Sequence, residues 1–306
     1  MSNSVASAQR ETPPQPALAA AAWMSGLLVS FLVMAVSARE AMSLMTEAEL
    51  PAMQVLFYRS LIAIPIVVLV AAANGPGLSL LATQRLGAHA LRNVFQFTGQ
   101  FCWFLAISLI PLAQVFAIEF TAPLWVGLLA PLVLGERMTR KRVVSLALGF
   151  VGVLAVVRPG VVEINLGTLA ILIGAVGFGC GMIMTKSLSR TEAPLTVIFY
   201  MSLMQALASG PVALWDPLLP DWTSLFWILL VALCGLFGHF CLVRALSLAD
   251  ALVVAPMDFM RLPLVMLLGI VIYAEPFDPW VLAGGALILA GNYLNLRVER
   301  RRRAAA

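Results

Sequence analysis

Gly99-Gln100-Phe101-Cys102 and Gly238-His239-Phe240-Cys241 stand 139 residues apart and open two segments that keep the same offset to their ends. Ser108-Leu109 falls on Ser247-Leu248, Glu119-Phe120 on Asp258-Phe259, Glu136 on Glu275 and Gly152 on Gly291. Each copy holds an acidic residue inside an apolar run, then a proline (Pro123; Pro263, one position out of step), then a second acid where the run ends. Internal repetition is read before any single motif, and here it predicts two homologous halves.

The 306-residue chain is 61% hydrophobic and 11% charged, against roughly 45–50% and 25% for a soluble domain, and its mean hydropathy is +0.97. A soluble fold of this length still leaves much of its surface to water, so lipid has to cover the excess. Cys102, Cys180, Cys234 and Cys241 all lie in apolar runs without a CxxC, the pattern of packing residues rather than of a disulfide framework. The net charge of +4 is not gathered on a face with interleaved aromatics, which argues against a nucleic-acid partner.

Residues 1–16, with Arg10, Glu11 and three prolines, predict a disordered tail. Ten apolar runs follow: 17–38, 51–73, 93–109, 112–134, 143–157, 164–185, 195–214, 225–243, 251–274 and 280–296. Most are long enough to cross ~30 Å of hydrocarbon as a helix. The short fifth run lies between Arg142 and Arg158, which reach both interfaces by snorkelling. The first run lacks the basic start and short core of a signal peptide, so it is expected to be retained.

Five crossings per half is an odd number, so the second half (164–296) enters the membrane inverted relative to the first (17–158). Such inverted repeats underlie alternating access in many secondary transporters. With both termini on one side, that side collects 14 of the 19 basic residues, among them Arg85, Arg92, Arg140, Lys141 and the arginines of the tail 297–306. The positive-inside rule makes it the cytoplasmic side of a bacterial inner membrane. Glycines 149, 152, 174, 177, 179, 181, 284, 285 and 291 predict close helix–helix faces.

With these features the chain resembles the drug/metabolite transporter superfamily, in particular its ten-helix EamA-type proteins. The resemblance rests on Pro123-Leu124-Trp125, Gly135-Glu136-Arg137 and Gly149…Gly152, mirrored by Pro263-Leu264, Ala274-Glu275-Pro276 and Gly284-Gly285…Gly291. It implies an all-α bundle around a central cavity, with the fifth and tenth helices peripheral. Within the family the chain looks most like bacterial exporters of aromatic amino acids. It departs from the pattern at Ala274, where a glycine precedes the acid in the first half.

Glu119 and Asp258 lie about seven residues into their runs, ~10 Å deep. A carboxylate there has to face protein, water or a partner, or stay protonated. Each is a candidate for a substrate amine or a coupling proton, or for pinning helices together; the pinning role is favoured for Asp258, whereas Glu119 has no basic neighbour in its own run. Arg261 is three residues beyond Asp258 and on the same face. Arg59 and Arg261 either receive a substrate carboxylate through the planar guanidinium or pair with the two acids. Asn93, Gln96, Gln100 and Trp103 form a polar and aromatic stripe, answered in the other half by His239; they line a cavity or pack.

Phe57-Tyr58-Arg59-Ser60 returns as Phe199-Tyr200-Met201-Ser202, so Tyr58 and Tyr200 are candidates for a gate or an interface anchor. Glu136 and Glu275 are expected to accept backbone N–H groups at helix starts. Pro123 and Pro263 are expected to kink their helices and to act as hinges.

Nothing in the chain resembles a P-loop, a metal-ligand set or a nucleophile elbow. The expectation is therefore a monomeric transporter without cofactor or metal, not an enzyme. It exports a small zwitterionic metabolite, an aromatic or large apolar amino acid, across the inner membrane, with a proton as candidate coupling ion. A broad exporter of drugs or metabolites is the alternative within the class, and a membrane scaffold or enzyme the alternative outside it.

Overall fold

A computed structural model describes residues 14–48, 50–73, 77–134, 138–160, 164–188, 191–248, 254 and 257–304. Among them are eleven α-helices: α1 (Pro14–Leu44), α2 (Pro51–Ala73), α3 (Leu86–Leu109), α4 (Leu112–Glu119), α5 (Ala122–Leu134), α6 (Arg140–Val157), α7 (Leu166–Leu188), α8 (Pro194–Trp215), α9 (Trp222–Leu248), α10 (Arg261–Tyr273) and α11 (Pro279–Ala304). A short 3-10 helix (Gly77–Leu81) links α2 to α3.

Among the described residues six stretches are long and apolar enough to cross a membrane: Leu18–Leu44, Pro51–Ala73, Leu112–Leu129, Leu166–Thr185, Pro194–Trp215 and Trp222–Leu242. The ten apolar runs of the sequence thus reduce to six clear spans, and the reason differs for each remaining helix. α3 buries His89, Arg92, Asn93 and Gln100, α6 opens on Arg140-Lys141-Arg142, α10 has only 13 residues, and α11 ends in arginines. All four nevertheless pack within the same bundle. Its outer surface is rich in exposed Leu, Val, Ile and Phe, such as Leu69, Leu207 and Val271, far more than a water-facing surface carries. Trp215 and Trp222 stand almost fully exposed at the α8–α9 turn, as in the aromatic belts of membrane proteins.

The helices pack in long pairs: α1 with α9, α3 with α7, α2 with α8, and α6 with α11. Exchanging the two halves turns the α1–α9 pair into α7–α3 and returns the other two pairs to themselves. The bundle therefore has the internal symmetry that the repeat predicts, and it is consistent with an inverted-repeat fold. The α6–α11 seam depends on absent side chains. A methyl on Gly152 would lie 2.5 Å from the Gly284 carbonyl oxygen, and one on Gly284 2.6 Å from that of Gly152, so the backbones meet directly.

Several boundaries differ from the sequence expectation. α1 already includes residues 14–16, while residues 1–13 lie outside the described ones. α3 starts at Leu86 instead of Asn93 and takes in His89 and Arg92, because two charged or titratable groups do not end a helix that can turn them inward. The basic tail continues α11 as far as Ala304. The run 112–134 is two helices, not one. Pro123 has no N–H to offer the Glu119 carbonyl, and its ring would clash there, so α4 stops at Glu119 and α5 begins at Ala122. Pro263 has the same effect in the other half, where helical residues 257–259 give way at Met260 before α10.

Two contacts orient the pairs. Arg39 near the end of α1 reaches Glu275 beyond the end of α10, and Ser145 of α6 meets Gly291 of α11. The start of α1 and the end of α11 consequently lie at one end of the bundle, the termini end. The main apolar core fills the other half, with Ala38, Met42, Val55, Leu56, Ile107, Phe116, Val231 and Val265. The four cysteines are free, Cys102 and Cys241 buried and Cys180 and Cys234 half-buried.

Candidate functional site

The two broken helices meet beside a cavity of about 630 Å³. Its walls come mainly from α1, α2, α3, α7, α8 and α9. Arg92, Thr185 and Leu242 line it toward the termini end; Met34, Trp103 and Glu119 line it toward the packed half. Of the residues singled out in the sequence, Arg59, Gln96, Gln100, Trp103, Glu119, Pro123, His239, Asp258 and Arg261 line this space.

One polar station lies at the helix breaks. Arg261 donates from Nη2 to Asp258 Oδ2 at 2.7 Å, and its Nη1 stands 3.7 Å from Glu119 Oε1. Trp103 Nε1–H donates to Glu119 Oε2 at 2.6 Å. Phe31 and Phe120 flank the guanidinium, their ring centres 4.7 and 4.9 Å from Cζ. Of the readings left open for Arg261, pairing with both acids is the one the geometry realises. Trp103 is buried edge-on against Phe104 and Phe116, with its polar edge given to Glu119.

A second station is built on Arg59. Its Nη2 donates to Gln100 Oε1 at 2.6 Å and to Gln205 Oε1 at 2.9 Å, and Phe104 lies beneath Cζ at 5.5 Å. Among the described residues no carboxylate is within ion-pair distance of Arg59. The same holds for Arg92, whose Nε donates to Thr185 Oγ1 at 3.0 Å and whose Nη1 meets Asn93 Oδ1 at 3.4 Å. His239 shares its Nδ1 with the Gly235 carbonyl at 2.7 Å. A carbonyl only accepts, so Nδ1 carries the proton and Nε2 is left to the cavity.

Three cavity candidates fall elsewhere, and one hinge candidate stands beside the cavity rather than in its wall. Tyr58 turns away and donates its hydroxyl to the Leu218 carbonyl at 3.1 Å. Asn93 is buried between helices, its amide on the His89 carbonyl at 2.9 Å and near the Tyr200 carbonyl at 3.4 Å. Tyr200 lies against the His89 ring, 4.7 Å between centres. Pro263 sits in the first turn of α10 and does not line the cavity. The inward stripe of α3 is Arg92, Gln96, Gln100 and Trp103, one residue round from the stripe that starts at Asn93. Spacings of four, four and three keep those side chains on one face. Arg92, Thr185 and Gln205 are among the polar cavity residues that the sequence reading missed. The i+4 relation of Arg92 to Gln96 was the available signal.

Glu136 lies outside the described residues. Glu275 does accept backbone N–H, but from Leu112 at the start of α4 (3.0 and 3.2 Å) and not from the helix that follows it. It also holds Arg39, whose guanidinium covers the Tyr273 ring at 4.3 Å, while Tyr273 donates to Glu40 at 2.8 Å. Arg158 pairs with Asp278 at the same end. These contacts tie α1, α4 and α10 together above the packed half.

A lipid-facing helical bundle with two-fold internal symmetry, broken helices and a cavity that holds charged side chains at the break defines the class of membrane transporters. The chain belongs to the EamA-like transporter family, which matches residues 15–158 and again residues 165–297. It is 30% identical over 227 residues to a riboflavin transporter of Rhizobium johnstonii, covering 74% of this chain and 75% of that one. It is 26% identical to an S-adenosylmethionine uptake transporter of Rickettsia prowazekii (80% and 81% covered) and 28% identical to a pseudopaline exporter of Pseudomonas aeruginosa (86% and 94%). A solved crystal structure shares the fold at a TM-score of 0.58 and 18% identity, covering 90% of this chain and 98% of that one. The chain is thus a bacterial multi-pass membrane transporter and not an enzyme.

Proposed function

We propose that this protein is a secondary transporter that carries small polar metabolites through the central cavity by alternating access, with a cargo range wider than aromatic amino acids. The observation that supports it most is the cavity itself: a largely apolar space beside two broken helices, into which three arginines and two carboxylates project. Its volume of about 630 Å³ falls within the ~300–1,000 Å³ of sites for drug-sized ligands. The relatives named above move S-adenosylmethionine, riboflavin and pseudopaline, none of them an aromatic amino acid. They include both an uptake transporter and an exporter, so this chain's net direction follows from its driving force.

The halves 17–158 and 164–296 are the units that rock against each other, with the termini end cytoplasmic by its basic residues. Glu119 and Asp258 share one arginine, which leaves one surplus negative charge when both are ionised. A proton neutralises it, and this makes the pair the candidate coupling site.

Purified protein in liposomes, assayed with labelled phenylalanine, a sugar and a nucleoside under an imposed pH gradient, tests the proposal. Expected are gradient-driven flux of more than one cargo and loss of the pH dependence in Glu119→Gln. Absence of flux for every cargo would contradict transport, and an unchanged pH profile would remove Glu119 as the coupling group.

A further inference from the structure

Among the described residues three arginines and two carboxylates line the cavity. Both carboxylates are engaged by Arg261, so Arg59 and Arg92 face neutral partners alone. A guanidinium can only donate. The side-chain oxygens of Gln100 and Gln205 must therefore be the atoms turned to Arg59, which turns both NH₂ groups away from it. Gln205 is 1% exposed, and its Nε2 has no hydrogen-bond partner. The Arg59 station thus combines a positive charge with left-over N–H donors and has no acceptor to spare. Burying such a group without an acceptor is costly. Eight residues farther toward the termini end of α3, ~12 Å away at 1.5 Å per residue, Arg92 repeats the arrangement with Gln96 between them on the same face.

We propose that Arg59, Gln100 and Gln205 form a subsite for an anionic group of the cargo, a carboxylate or a phosphate monoester, and that Arg92 is the point of first capture nearer the termini end. The proposal rests on the transport reading, since the ligand of this subsite is the cargo. An anion supplies the acceptor that Gln205 Nε2 lacks and the counter-charge that Arg59 lacks. Arg92 meets it earlier along the same helix face and raises its local concentration. The repeat counterpart of Arg59 is Met201, which also lines the cavity, so the subsite exists on one side of the two-fold axis only. The bound anion is thereby given one orientation.

Two matched pairs of probes serve as the test: 3-phenylpropionate with 3-phenylpropionamide, and uridine monophosphate with uridine. Thermal melting of the full-length protein in detergent reads binding without transport; flux of the same labelled probes in liposomes reads transport. At least one acid is expected to raise the melting temperature at concentrations where its neutral partner does not. Arg59→Gln is expected to weaken that acid at least tenfold, and Arg59→Lys, which keeps the charge and loses the fork, less than Arg59→Gln. Arg92→Gln is expected to slow acid flux more than it weakens binding. Equal effects of acid and neutral partner, no effect of either acid, or an unchanged response in Arg59→Gln would each overturn the subsite. Binding of an acid without flux of any probe would uphold the subsite and sink the transport reading, whereas flux of uridine with no effect of an acid would do the reverse.

Discussion

Arg261 and Arg59 point into one cavity from opposite halves of the chain, yet their surroundings differ. Arg261 is held by two carboxylates and three aromatic rings; Arg59 is held by two amide oxygens and one ring. Compensated charge between elements fixes their relative position, whereas uncompensated charge awaits a ligand. The first arginine accordingly reads as a fastener between α4 and α10, and the second as a receiver.

The comparison breaks most visibly at Arg261. Arg261→Gln removes a buried guanidinium and leaves two half-buried acids without their partner, which is expected to cost about 3 kcal/mol, read as a large fall in melting temperature; a small fall would mean that the acids do not depend on it. Next in size is the lock at the packed end, where Glu275→Gln removes the charge from the hydrogen bonds to Arg39 and Leu112. It should weaken that closure by about 1.5–3 kcal/mol, seen as faster thiol labelling of a cysteine placed at Met42. Unchanged labelling would show that apolar packing alone seals this end.

Ala274 caps α10 in the left-handed region (φ 52°), where its N–H and that of Glu275 both donate to the Gly269 carbonyl. Such a conformation strains a residue with a Cβ. Ala274→Gly should therefore stabilise the protein by about 1 kcal/mol, and a loss of stability would refute the strain. The smallest effect is expected at Arg59. Arg59→Met, which copies the other half, removes an unpaired charge and leaves two amide oxygens unbonded, terms that offset to within about 1 kcal/mol. A fall as large as that of Arg261→Gln would make both arginines fasteners.

Much of this architecture was legible in the chain. The run 51–73 coincides with α2, and the offset of 139 residues announced the symmetric pairing. The two prolines marked where the fourth and ninth runs break, because a missing N–H is a local fact that needs no tertiary context. The face of α3 was harder to read. Apolar counting ends a helix at the first charged residues, and Arg92 is charged; only the partner helix α7, with Thr185 opposite, shows that it turns inward. Tyr58 and Tyr200 repeat in sequence but lie off the cavity, since an aromatic pair at a helix start is as readily tied to a neighbouring loop or ring. The glutamine completing the Arg59 station lies 146 residues away, a pairing that no periodicity within one helix announces.

Labelling of a single cysteine at Met201, with the four native cysteines replaced by alanine, tests the solute path most directly. Met201 lines the cavity, whereas Leu56, fully buried in the apolar core, does not. A membrane-impermeant maleimide should modify Met201→Cys from the side of the termini and slow when a carried cargo is added, while Leu56→Cys stays unmodified. A folded Met201→Cys protein that reacts from neither side, or a Leu56→Cys protein that reacts as fast, would contradict a path through the centre of the bundle.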